Sequence, residues 1–74
     1  MRHKTAKGMV ETWHSDLGWG VLTSPDVRAE IWAHFSAIEA TGYRELHPGD
    51  AVEFGYHRAD QDGFEYVADS IRRR

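Results

Sequence analysis

Short runs of apolar and aromatic residues recur along the chain, separated by clusters of turn-forming residues. Within 51–57, Val52, Phe54 and Tyr56 alternate with Glu53, Gly55 and His57, the period-two pattern of a half-buried strand. Runs rich in Val, Ile, Trp, Tyr and Phe also occupy about 5–14, 18–23, 30–35 and 64–71. Between the runs stand Ser15-Asp16 ahead of Gly18, Ser24-Pro25-Asp26, Thr41-Gly42, His47-Pro48-Gly49-Asp50 and Asp60-Gln61-Asp62-Gly63, each a turn signal. Ser36–Ala40 is the only helix-like piece, and it is one turn long. Five short strands without a real helix predict a small all-β closed barrel, because closure leaves no sticky strand edge. No repeat, low-complexity segment or linker interrupts the chain, so residues 1–74 are expected to form one domain with short basic ends at 1–7 and 72–74.

Alternation also assigns faces. In the second run Trp19 and Val21 share one face and Gly18, Gly20 and Leu22 the other. In the third, Trp32 and His34 lie opposite Ile31 and Ala33. Leu22, Ile31 and Ala33 suit a core, and a histidine beside a tryptophan does not. The cheaper assignment therefore puts Trp19, Val21, Trp32 and His34 outside, with the two glycines leaving open space around the Trp19 ring. The alternative keeps Trp19 and Trp32 in the core and makes Gly18 and Gly20 a bend of the barrel.

Size sharpens the question these rings raise. A chain of 74 residues has a modest core and buries only about 60% of its unfolded surface. Three Trp, three Tyr and three Phe are a large share of what that core could use, so rings left outside ask for a reason. There is no Cys, which excludes disulfides and thiolate metal sites and fits a reducing compartment. No apolar run approaches the ~20 residues of a membrane span and no signal-peptide core follows Met1, so a soluble cytoplasmic protein without a membrane partner is expected. The formal charge of −3 is unevenly laid out. Residues 9–71 hold all twelve acids against Arg28, Arg44 and Arg58, while Arg2, Lys4, Lys7 and Arg72–Arg74 make both ends basic. An acidic body argues against tight nonspecific phosphate binding, whose affinity comes mainly from Lys and Arg.

The stretches Leu17-Gly18-Trp19-Gly20-Val21-Leu22 and Ile31-Trp32-Ala33-His34-Phe35-Ser36 resemble the two nucleic-acid-binding motifs of the bacterial cold-shock domain, Lys-Gly-Phe-Gly-Phe-Ile and Val-Phe-Val-His-Phe-Ser. The resemblance continues through KGMVETW (7–13), TGYREL (41–46), PGDAVEF (48–54) and YVADSI (66–71). The paired motifs are specific, although either alone is weak. The resemblance implies a five-stranded antiparallel barrel of the OB type that binds single-stranded DNA and RNA with low sequence specificity. It also implies a monomeric RNA chaperone or gene-expression regulator of cold-shock type. Exposed rings on the second and third strands stack with bases there, and stacking tolerates any sequence because every base has a π-face.

Carried over position by position, the resemblance implies that Trp19 and Trp32 stack, that His34 stacks and donates a hydrogen bond, and that Phe35 follows as a further ring. Tyr43 matches a loop aromatic that packs over a base, and Trp13 matches the first strand's second aromatic. The departures are as informative. Val21 replaces an aromatic, Thr12 replaces a tryptophan, and Glu11 and Leu17 stand where the family places Lys. Enlarging Phe to Trp at 19 and 32 offsets part of this. Two lost stacks of roughly 1 kcal/mol or more each predict binding weaker than a typical member by about one to two orders of magnitude.

Other constellations point to no chemistry. His3, His14, His34, His47 and His57 show no metal-ligand spacing, so neither a metal nor another cofactor is expected. Asp60 and Asp62 read as a hairpin loop, Ser36 as a turn cap, and Ala37-Ile38 as a plug at one end of the barrel. No catalytic arrangement or small-molecule substrate site is recognisable, and no enzyme is expected. The rival reading is a protein-interaction barrel that holds a basic or proline-rich peptide on its aromatic face, favoured by the acidic body and the lost Lys positions.

Overall fold

The computed structural model describes residues 4–39 and 45–74. Five strands, β1 (Lys4–His14), β2 (Trp19–Ser24), β3 (Val27–His34), β4 (Ala51–Gln61) and β5 (Phe64–Arg73), form a closed barrel in the order β1-β2-β3-β5-β4. The long β1 serves two neighbours: Lys4–Met9 pair with β4 and Met9–His14 with β2. All pairings are antiparallel except the closure of β3 on β5, which is parallel and has two rungs, Ile31↔Tyr66 and Trp32↔Val67.

β3 and β4 run longer than the sequence pattern marks them, because the turns that join them to β2 and β5 are tighter, and β5 runs on to Arg73. Pro25-Asp26 joins β2 to β3 with Ser24 opposite Val27, so β3 starts at Val27. Asp62-Gly63 joins β4 to β5 with Gln61 opposite Phe64, and both residues have positive φ, 51° and 85°. This is the backbone that a two-residue hairpin turn of the Asp-Gly type adopts. The helix-like piece is a single 3-10 turn, Phe35–Ala37. Its cap is the His34 side chain, whose Nδ1 accepts from the Ser36 backbone N–H, rather than a serine.

The core is the inner face of the barrel. Leu22, Ile31, Ala33, Val52 and Ile71 are fully buried, with Phe54, Val10 and Leu46 only 1% exposed. Burying each large side chain contributes about 1.5–3 kcal/mol. Ile38 joins this cluster just after the 3-10 turn and bridges to Ile71, with Ala37 half-buried beside it, so the Ala37-Ile38 plug is where the sequence places it. Lys4 and Lys7 are held in β1 and Arg72 and Arg73 in β5, and the Arg74 N–H beyond it donates to the Ala51 carbonyl. Arg72 Nε lies 3.8 Å from Glu39 Oε1 and Arg73 Nε 3.6 Å from Asp50 Oδ2, while Arg73 also donates to the Glu45 carbonyl. No described helix is long and apolar enough to cross a membrane.

Candidate nucleic-acid interface

Trp19 and His34 are direct cross-strand partners on the outer face, and Val21 faces Trp32 two rungs further along. This register builds a row of rings. His14 and Trp19 lie with centroids 4.6 Å apart, Trp19 and Trp32 6.3 Å apart at 22°, Trp32 and His34 5.7 Å apart at 19°, and His34 and Phe35 4.6 Å apart. Near-parallel rings on diagonal strand positions present one continuous surface rather than separate side chains. Phe64, at the start of β5, meets Trp19 edge-on at 6.4 Å. The sequence reading missed it, because the matched final motif begins only at Tyr66.

The face assignment of Trp19, Trp32 and His34 therefore stands, and the core alternative falls. All three are half-buried, outside the core cluster, and Phe35 is 43% exposed. Val21 is a correction. It lies on the outer face, yet it is only 7% exposed and sits outside the core cluster, between its partner Trp32 and its neighbour Trp19. Large rings on either side shield a small side chain that alternation alone leaves in solvent.

Trp13 reaches the site from the other direction. The register of β1 on β2 shifts between Val10 and Thr12, a bulge centred on Glu11. A bulge inserts one unpaired residue and reverses the alternation beyond it. Thr12 is consequently exposed, and Trp13 packs against the core at one end of the barrel. Gly20 lies opposite Trp13, and a Cβ there would meet the Trp13 ring at 2.5 Å and the Thr12 carbonyl closer still. Gly18 has φ +78°, and a Cβ there would sit 3.0 Å from the Phe35 ring. The two glycines thus admit Trp13 and Phe35, which corrects the expectation that they open space around Trp19. Tyr43 lies outside the described residues.

The polar groups of the row are oriented. His34 Nδ1 accepts from the Ser36 N–H (3.3 Å) and lies 2.8 Å from Ser36 Oγ, so the neutral ring carries its proton on Nε2 as an outward donor. His57 Nδ1 lies 2.8 Å from Asp69 Oδ2, beside a groove of about 460 Å³ that continues past Trp32 and His34 between β3 and β5. The Trp32 Nε1–H is buried without a described hydrogen-bond partner. No Lys or Arg belongs to the row itself. Arg28 is the cation on the same face of β3, and Glu30 stands between it and Trp32. Glu11 hydrogen-bonds Glu30, and chiefly for that reason its carboxyl titrates above its ordinary value, the Glu30 charge and partial desolvation adding to the shift. Among the described residues, no group of three His, Asp or Glu is placed to hold a metal.

The comparisons with known proteins agree with this geometry. Residues 6–68 match the family model described as the 'Cold-shock' DNA-binding domain. The chain is 39% identical over 49 residues to the major cold shock protein of Micrococcus luteus, covering 66% of this chain and 73% of that protein. It is 37% identical over 54 residues to the cold shock-like protein CspD of Haemophilus influenzae, covering 73% of this chain and 75% of that one. Among solved structures, the Drosophila Unr CSD456 chain superposes with a TM-score of 0.73 at 25% identity, over 96% of this chain and 27% of its own length. With a family model matched over 6–68 and a five-stranded closed barrel presenting both motifs on its outer face, the chain belongs to the cold-shock domain family.

Proposed function

We propose that this protein binds single-stranded DNA and RNA by stacking bases on the row formed by Trp19, Trp32, His34 and Phe35, with Trp13 at its end. Nucleic-acid binding of cold-shock type goes with family membership. The observation that supports the finer reading is the row itself, four rings in succession on one outer face at centroid spacings of 4.6–6.3 Å. Base–aromatic stacking of about 1–3 kcal/mol per base gives affinity without sequence choice. Such binding suits a monomeric cytoplasmic RNA chaperone or gene-expression regulator of cold-shock type. Affinity is set below that of a typical member by Val21, Thr12, Glu11 and Leu17, which supply neither the rings nor the cations of the family pattern.

One observation favours a second reading. The acids Glu11 and Glu30 flank the row and its own members include no Lys or Arg, a setting that would also suit a basic or proline-rich peptide. A tryptophan-fluorescence titration with oligo-dT and oligo-U at low and moderate salt separates the two. Quenching that Trp19→Ala and Trp32→Ala each weaken by about five- to a hundredfold supports base stacking. A folded protein with no quenching at tens of micromolar strand would move the reading to the peptide.

A further inference from the structure

The outer face continues from the ring row into the groove between β3 and β5. Trp32 and His34 belong to the row and also line this groove, whose β5 side carries Asp69 and His57. The groove opens because the parallel closure has only two rungs, Ile31↔Tyr66 and Trp32↔Val67, and the chain next bridges at Ile38↔Ile71. A strand stacked on Trp32 and His34 therefore lies at the edge of the groove.

The histidine across the groove is built into place. The register of β4 on β5 shifts between Gly55, opposite Ser70, and Tyr56, opposite Ala68, so Asp69 is the extra residue of a bulge. A bulge re-aims a side chain, and this one brings Asp69 Oδ2 to 2.8 Å from His57 Nδ1. Gly55 makes room for the carboxylate, since a Cβ there would stand 2.7 Å from Asp69 Oδ1. With Nδ1–H donating to Asp69, Nε2 is the outward edge of a side chain that is 52% exposed. In the neutral ring that edge only accepts a hydrogen bond. In the charged ring it donates one while Nδ1–H stays on the carboxylate.

We propose that His57, protonated and held by Asp69, contacts a backbone phosphate of the strand stacked on Trp32 and His34. The inference rests on the stacking reading and adds the strand's path from the row into the β3–β5 groove. Among the described residues no Lys or Arg lines the groove, so a charged His57 is the cation it offers. Imidazole changes charge between pH 5 and 8, which ties the contact to pH. The titratable groups that share the groove with His57 are Asp69 on β5 and His34 on β3. Lys4 on β1 pairs opposite Tyr56, and Arg58, next in β4, is held 3.2 Å from Glu65 on β5.

The test is an anisotropy titration of the full chain at low salt with a labelled dT hexamer and with hexamers carrying one uncharged methylphosphonate at each linkage in turn, at pH 6 and pH 8. At one linkage the lost charge is expected to weaken binding by at least about threefold at pH 6 and by less than about twofold at pH 8. His57→Ala, at an exposed strand position, should abolish that loss and leave the tryptophan quenching at saturation unchanged. Asp69→Ala, which takes away the ring's anchor, should shrink it. A linkage over Arg28 differs, because arginine stays charged and its loss is the same at both pH values. If no linkage shows a loss confined to pH 6, or if that loss persists in His57→Ala or stays undiminished in Asp69→Ala, the contact is overturned and the stacking row stands. If no strand binds the folded protein, the stacking reading falls and the contact with it.

Discussion

The Glu11 and Glu30 carboxyls interact across β2, on the outer face that also carries Trp32. Each stands on a strand flanking β2, and Glu11 reaches out from the bulge of β1. Two carboxylates this close cannot both ionise freely, so the pair holds a proton to higher pH than a lone glutamate would.

The pair makes stability and binding depend on pH in the same direction. The Glu11 carboxyl has a folded-state pKa raised above its unfolded value. Its stabilising contribution is therefore complete below the unfolded pKa and lost as pH rises through the folded one. Above that range both charges repel each other and any nearby phosphate. Glu11→Gln is expected to raise the thermal midpoint at neutral pH and lose that advantage in acid. It should also tighten oligo-dT binding at neutral pH by about two- to fivefold at low salt. Histidines line the same face, so the ratio of wild type to Glu11→Gln across one pH series isolates the pair. A ratio independent of pH would count against it.

Gly20 is where the Trp13 ring and the Thr12 carbonyl meet β2. Gly20→Ala is expected to destabilise the barrel by about 1–3 kcal/mol, because a backbone oxygen cannot move aside as a flexible side chain can. Urea unfolding followed by tryptophan fluorescence measures this. A loss below about 0.5 kcal/mol would show that the two strands separate there without cost.

The period-two pattern is unbroken where it was most informative. Leu22, Ile31 and Ala33 turn inward and Trp19, Trp32 and His34 outward as their alternation requires, since β2 and β3 keep register from Trp19 to Leu22. Beyond the Glu11 bulge the same rule fails: Thr12 comes out and Trp13 goes in, and no residue type in Val10-Glu11-Thr12 marks the insertion. Alternation also gives a face but not a depth, which is why Val21 is legible as outward and illegible as covered. A cavity beside Phe35 joins the β1–β2 turn to Glu45, 30 residues from Ser15 in sequence, a proximity that only barrel closure creates.

Trp32 holds its indole N–H buried without a described partner. An unpaired buried donor costs about 1–3 kcal/mol, so the extra ring of a tryptophan brings both surface and a penalty. Trp32→Phe removes the donor and keeps a six-membered ring. Its thermal midpoint is expected at or above that of wild type, and its oligo-dT affinity between those of wild type and Trp32→Ala. A midpoint as low as that of Trp32→Ala would mean that the indole N–H is paired in solution.

Salt dependence counts the phosphates that cations neutralise, with a log–log slope of about −0.7 per contact on single strands. Arg72, Arg73 and Arg58 are committed to Glu39, Asp50 and Glu65. Lys7 and Arg74 line a groove with Met9 and Ser24, and Lys7 stands six residues of β1 before Trp13, a strand length of roughly 20 Å. Lys4, at the start of β1, stands further still from Trp13, so among the described residues Arg28 is the cation left beside the row, exposed on the outer face of β3 four residues before Trp32. Oligo-dT binding should therefore show a shallow slope, between about −0.7 and −1.4, and Arg28→Ala should flatten it by about 0.7 while leaving the quenching of Trp19 and Trp32 at saturation unchanged. A slope steeper than about −2 that Arg28→Ala does not alter, but that removal of Arg72–Arg74 does, would bring the basic C-terminal end onto the strand and move the path of the nucleic acid around the barrel from β3 toward β5.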